Sequence, residues 1–254
     1  MTNSLSLLHT AFEQGRLIDA LPTPPATRAD AYALQAGYEA HSDHSRYGWK
    51  IAATSAAGQA HINVDGPIAG RLLAERMFAP GSQISLTNNR MLVCEPEFAF
   101  RFGVPLPGGQ SYMRAAVMDA VATMHLSLEI PDSRFSDFTA VGAPSLIADN
   151  ACARELIVGP PVTAEWRNVD LSAHAVAATV DNEYQRAGSG AAVLGDPRDA
   201  LTWLVNEVAA IGVDIQPGEL VTTGTCMTPL EITPGDHITA DYGAFGSISA
   251  AFVA

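Results

Sequence analysis

The stretch VCEPEFAFRFG, residues 93–103, sets Glu95 and Glu97 on either side of Pro96 inside a run that is otherwise largely apolar. Read as an extended strand, it sorts by parity, because successive side chains of a strand point to opposite faces. Cys94, Pro96, Phe98, Phe100 and Phe102 fall on one face, and Glu95, Glu97, Ala99 and Arg101 on the other. The aromatic face suits a core and fixes the register, since a slip of one residue would drive both carboxylates into it. The two glutamate Cα atoms would lie about 6.6 Å apart, two strand rises of roughly 3.3 Å, so both side chains can converge on one cation. Pro96 predicts an edge or irregular strand here, because proline supplies no ladder hydrogen bond. Taken alone, the segment also admits a solvated face with Arg101 as ion partner.

A second acidic element extends the pattern. In LSLEIPDSRF, residues 126–135, Leu126, Leu128 and Ile130 alternate with Ser127 and Glu129, which places Glu129 on the polar side of a buried strand. Three carboxylates on such faces make an all-oxygen donor set suited to a hard divalent ion, Mg2+ or Mn2+.

Basic residues carry a different signal. Of 14, 13 are arginines, and Lys50 is the only lysine among 254 residues. Lysine is a compact point charge whose proton can be moved when it is buried, which guanidinium cannot match near neutral pH. The net charge of −13 and the lack of a basic cluster argue against nucleic acid or an anionic membrane as partner. An anionic small substrate would need a local positive charge or a bound metal. No apolar run approaches membrane-span length, and the N-terminus lacks the pattern of a secretory signal, so a cytoplasmic location is expected. Cys94, Cys152 and Cys226 form no C-x-x-C pair and read as buried free thiols.

Along the chain, helical spacing predicts a helix over residues 4–14 stopped by Gly15, and Thr27 with Asp30 predicts a capped helix through about Tyr38. Pro80-Gly81, Pro217-Gly218 and Pro234-Gly235 read as type II turns feeding strands. Further helices are predicted over 111–124 and over 197–211, the latter capped by Asp196. His41 and His44 share a helical spacing but lack a third ligand and read as a polar helix end. The glycines of 188–195 fit no dinucleotide fingerprint. The fold class expected is α+β, with a helical N-terminal segment over residues 1–47 and one β-rich unit over 48–254.

From residue 48 onward the chain resembles the 2-keto-4-pentenoate hydratase family of the fumarylacetoacetate hydrolase-like fold, through the phrases GWKIAATS, CEPEFAF, LEIPDSRF, ADNA, GAAVLGDPRDALTWL, GELVTTGT and PGDHITADYGAFGSIS in order. The resemblance implies a mixed β-roll, a homo-oligomer, a metal on Glu95, Glu97 and Glu129, and Lys50 in the same pocket. It also implies substrate-binding roles for Arg134, Asn150 and Thr225 within the matching phrases. The activity implied is addition of water to a 2-hydroxy-2,4-dienoate, giving a 4-hydroxy-2-oxo acid. Ile68 stands where family hydratases often carry an acid, which leaves Asp65 as the neighbouring candidate, and Cys152 stands where the family tends to serine. IAGRL and DSRFSDF look more like the sister 4-oxalocrotonate decarboxylases. A fumarylacetoacetate-type C–C hydrolase and a non-catalytic binding protein on the same fold are the remaining readings.

Overall fold

The computed structural model describes residues 2–181 and 183–254. Its helices are α1 (Thr2–Gln14), α2 (Arg28–Gln35), α3 (Ala56–His61), α4 (Arg114–Ala120), α5 (Gly142–Ala148) and α6 (Pro197–Ala210). The strands are β1 (Gly48–Ala52), β2 (Ile68–Leu72), β3 (Met77–Phe78), β4 (Gln83–Ser85), β5 (Val93–Phe102), β6 (Val121–Ile130) and β7 (Glu155–Pro161). They continue with β8 (Ala175–Val180), β9 (Tyr184–Ser189), β10 (Leu220–Thr225), β11 (Leu230–Glu231), β12 (His237–Asp241) and β13 (Ser247–Val253). One mixed sheet runs β2-β1-β10-β5-β6-β7-β3, with β11 added to the start of β5, and a second runs β4-β13-β12-β8-β9. This is the α+β, mixed β-roll architecture expected from the sequence.

The parity of β5 is realised. Cys94, Phe98, Phe100 and Phe102 are at most 1% exposed and join Leu126, Leu128 and Ile130 of β6 in the main core. The opposite face is also closed, by a small cluster of Leu72, Ala99, Leu156 and Leu220. A solvated glutamate face is therefore not what forms, and Arg101 binds the Gly218 carbonyl and the Tyr47 hydroxyl rather than a carboxylate.

Pro96 does not mark an edge, because β5 lies between β10 and β6. It marks an irregularity: the β10 partner shifts register between Thr222 and Thr225, and the Pro96 carbonyl accepts from the Cys226 N–H at 2.9 Å. The predicted 111–124 helix is also corrected. Only Arg114–Ala120 is helical, and Val121–Met124 open the ten-residue β6. Val121, Thr123 and Met124 pair with Phe102, Arg101 and Phe100, so ladder pairing overrides a local helical spacing.

The turns follow the prediction, with Gly81, Gly218 and Gly235 at φ of +78°, +89° and +108°. The N-terminal segment is anchored to the β-rich unit. Leu8, Leu21, Leu34 and Tyr38 pack with Phe135 and Ala148. Gln35 donates to the carbonyls of Ala69 and Ile147, both at 2.8 Å, and the Tyr32 hydroxyl accepts from the Ala69 N–H.

Candidate metal centre

Antiparallel pairing sets Glu95 of β5 directly opposite Glu129 of β6, and Glu97 projects from the same face one pleat along. Carboxylate oxygens of the three lie within 4.8 Å of one another. β1 supplies the counter-charge: Lys50 Nζ lies 2.9 Å from Glu129 Oε1, and both side chains are at most 2% exposed. Glu95 alone keeps contact with solvent, so the site opens at its end.

β10 sets the orientation of Glu97. Its Oε2 accepts from the Thr222 hydroxyl and, at 2.9 Å, from the Gly224 N–H. The Thr222 oxygen is in turn 2.9 Å from Ser127 Oγ. That amide reaches the carboxylate because the strand is irregular there. Gly224 has φ of +105°, and a Cβ at this position would stand 2.2 Å from Thr54 Oγ1, so only glycine fits. Thr222 and Gly224 were not singled out from sequence; the alternation of LVTTGT offered no sign of the irregular backbone that aims them.

These carboxylates are held in an unfavourable state for charge. Burial, the Glu129 carboxylate and, in opposition, the Lys50 ammonium leave Glu95 pushed up to about 7. Burial and its two acidic neighbours push Glu97 well above the usual range, and burial raises Glu129 despite Lys50. Lys50 is raised: burial acts against its charge, but Glu129 and Glu95 outweigh it. Glu97 Oε1 and Glu129 Oε2 are buried without a hydrogen-bond donor. Buried carboxylate oxygens normally have partners, and a divalent cation at this point would supply one to each. The donor set thus fits Mg2+ or a similar hard ion.

The other sequence candidates lie apart or beside the cluster. Thr225 is paired with Glu97 across β10 and β5, and its hydroxyl donates to the Met227 carbonyl. Asp65 sits on the loop before β2 with its side chain 89% exposed, 4.0 Å from Arg28. Arg134 is buried and bound to Asp149, and does not meet the glutamates. The Asn150 carboxamide is engaged by the backbone of β2, accepting from the Arg71 N–H at 2.7 Å and donating to the Arg71 carbonyl at 2.9 Å. The polar atoms of the Arg134 and Asn150 side chains thus have protein partners in the structure.

A separate cleft of about 130 Å³ lies under α1, lined by Arg71, Arg76, Arg134 and Arg154. Glu39, Asp149 and Asp132 neutralise Arg71, Arg134 and Arg154, so this cleft lacks the chemistry of the glutamate cluster.

A curled mixed sheet with a buried carboxylate triad and one lysine defines a class, and comparison with known proteins gives the family. Residues 31–253 match the family described as fumarylacetoacetate (FAA) hydrolase, C-terminal, and the chain belongs to it. It is 32% identical to a 4-oxalocrotonate decarboxylase of Pseudomonas putida, over 91% of this chain and 87% of that one. It is 30% identical to a 2-keto-4-pentenoate hydratase of Burkholderia vietnamiensis, over 81% and 77%. Among solved structures, 4-oxalocrotonate decarboxylase from Pseudomonas putida G7, complexed with magnesium and adipate, superposes with a TM-score of 0.85 at 28% identity, covering 98% of this chain and 97% of that one.

Proposed function

We propose that the chain is a divalent-metal-dependent hydratase that adds water to a 2-hydroxy-2,4-dienoate and yields a 4-hydroxy-2-oxo acid. The observation that carries the metal-dependent chemistry is the convergence of Glu95, Glu97 and Glu129 beside the sole lysine, two of their oxygens lacking any donor. These three residues would hold Mg2+ or Mn2+. When bound, such an ion supplies Lewis-acid stabilisation of negative charge developing on the substrate's 2-oxo oxygen.

The chain's own groups do the rest. Thr222 and the Gly224 amide hold Glu97 in one orientation, which keeps the donor set preorganised. Lys50, tied to Glu129, sits where it can bind the substrate carboxylate or move a proton along the carbon chain. Closure over Lys50 limits water to the Glu95 end. Asp65, the proposed hydration acid, is exposed on the loop before β2, while Thr225 pairs with Glu97 across the strands but donates its hydroxyl to the Met227 carbonyl.

A second reading, decarboxylation of a 2-oxo-3-enedioate, is favoured by Ile68. It is fully buried and shares the β2 face of Gly70, which pairs with Lys50, so it adds an apolar wall on the lysine's side of the sheet. An apolar surround assists loss of CO2 from a charged substrate. Incubation of Mg2+-loaded protein with 2-hydroxypenta-2,4-dienoate and, separately, with 2-oxohex-3-enedioate distinguishes the two. Loss of dienol absorbance with formation of the hydroxy-oxo acid supports the first; CO2 from the diacid with no water addition replaces it by the second. We further propose that the chain works as a homo-oligomer in the cytoplasm, and light scattering on the purified protein is the direct test of assembly.

A further inference from the structure

Three successive residues, Asn150, Ala151 and Cys152, have φ of +54°, +49° and +61°. None is glycine, all are buried, and L side chains rarely adopt this conformation, so the surroundings must hold the turn in place. The clamp is visible. The Asn150 carboxamide pairs with both backbone groups of Arg71 on the outer side of β2, acting as a strand's peptide group would. The Ala153 N–H closes onto the Asn150 carbonyl at 2.9 Å, and the Asp132 N–H donates to the Cys152 carbonyl.

This turn and the stem of Lys50 border the same glycine. Gly70 pairs with Lys50 across β2 and β1. A Cβ built on Gly70 would stand 2.3 Å from the Asn150 carbonyl oxygen and 3.2 Å from Lys50 Cγ. The missing side chain of Gly70 thus leaves a niche bordered on one side by the Asn150 carbonyl and on the other by the aliphatic stem of Lys50. From there the stem runs to the ammonium 2.9 Å from Glu129.

We propose that Asn150 is a positioning residue for Lys50: its carboxamide locks the left-handed turn onto β2, and the turn, through the Gly70 niche, fixes the direction in which the Lys50 ammonium points. The proposal rests on the reading that Lys50 acts at the metal site. It explains why an amide whose hydrogen bonds are all to backbone sits beside the chemistry, and why strain is stored there.

Because Lys50 is the only lysine, selective 15N-lysine labelling reports its ammonium alone. In wild type, one exchange-protected Nζ signal is expected, with the Lys50 γ protons close to the Gly70 α protons by cross-relaxation. Asn150→Gly tolerates positive φ and removes only the carboxamide; Asn150→Asp keeps the acceptor and loses the donor. Both should shift the Nζ signal or open it to exchange, and lower kcat on the better of the two substrates above by on the order of 10- to 100-fold, as a displacement near 1 Å can. KM and Mg2+ affinity by calorimetry should stay within about twofold, since the metal ligands are untouched. An unchanged Nζ signal with unchanged kcat in a folded variant overturns the proposal, as does the absence of Lys50–Gly70 cross-relaxation in wild type. If the Nζ signal moves but wild type turns over neither substrate, the positioning role stands and the proposed reaction fails.

Discussion

Glu97 and Lys50 are the residues on which the site is most exposed to test. Removing one anionic ligand from an all-oxygen set should weaken a hard cation sharply, so Glu97→Gln is expected to lower Mg2+ affinity at least tenfold by titration calorimetry; an unchanged affinity would remove Glu97 from the site. The same substitution puts an amide N–H or carbonyl against Thr222 and Gly224 without changing size, so the fold should persist. Lys50→Arg preserves charge but not a transferable proton, and its planar head cannot keep the compact contact with Glu129. Turnover should fall about 10²-fold or more, a common worth of general acid–base catalysis. Wild-type turnover in that variant would discard the role. Both residues were legible in the sequence for physical reasons: parity put the glutamates on one face, and compositional isolation marked the lysine. The partners of Arg134 and Asn150 were not legible, because a family phrase locates a residue in the chain, whereas the Asp149 carboxylate and the Arg71 backbone that engage them come from contacts no phrase records.

Elements whose ends are set by local chemistry were read well, and those set by distant pairing were not. Asp196 caps α6 by accepting from the Arg198 N–H, with Pro197 in the first turn, as the sequence indicated. The end of α4 depended on β5 claiming Val121 onward, and the left-handed turn at Asn150–Cys152 depended on the edge of β2; neither signal lies in the segment itself. The cap also carries a pH dependence. Burial pushes the Asp196 carboxyl up, but Arg198, its amide and Arg114 outweigh this and hold it below the usual carboxylate range. A depressed folded pKa means that the unfolded chain binds the proton first. The stabilisation is therefore complete above the unfolded value, near about 3.9, and is lost as pH falls through the folded one. Asp196→Ala should cost about 1 kcal/mol at neutral pH. Asp196→Asn keeps a capping oxygen but not the charge, so its deficit in Tm against wild type should close as pH falls below the unfolded value and through the lowered folded one. A deficit that stays constant with pH would show that the ion pairs contribute nothing.

In the whole molecule, the N-terminal helices and the β-rich unit share a core and hydrogen bonds. Leu8, Leu21, Leu34 and Tyr38 complete the packing over Phe135 and Ala148, while Gln35 satisfies two buried carbonyls. Phe135 and Ala148 flank the segment that leads into the Asn150 turn. A chain beginning at residue 48 would uncover that apolar face and leave the Ala69 and Ile147 carbonyls without the Gln35 donor, each a substantial loss. Such a fragment is expected to aggregate or to melt without a cooperative transition by calorimetry. A soluble fragment melting within a few degrees of the full chain would instead make residues 1–47 a detachable appendage. A division at residue 48 was the expectation from sequence; the interlocking of the two parts was not legible there, because it rests on single side chains reaching across roughly a hundred residues of sequence.

Glu95 and Glu129 face each other across a central strand pair, with Glu97 beside them and one ammonium for three acids. Folding without an ion must therefore gather like charges in the interior or neutralise them by protonation. With the glutamates holding an ion as proposed, occupancy at a free concentration 100 times Kd adds about 2.7 kcal/mol to the native state, a large share of a typical domain's margin. Metal supply would then bear on how much of the chain stays folded as well as on its rate, and scarcity of the ion would send more of it to quality-control proteases.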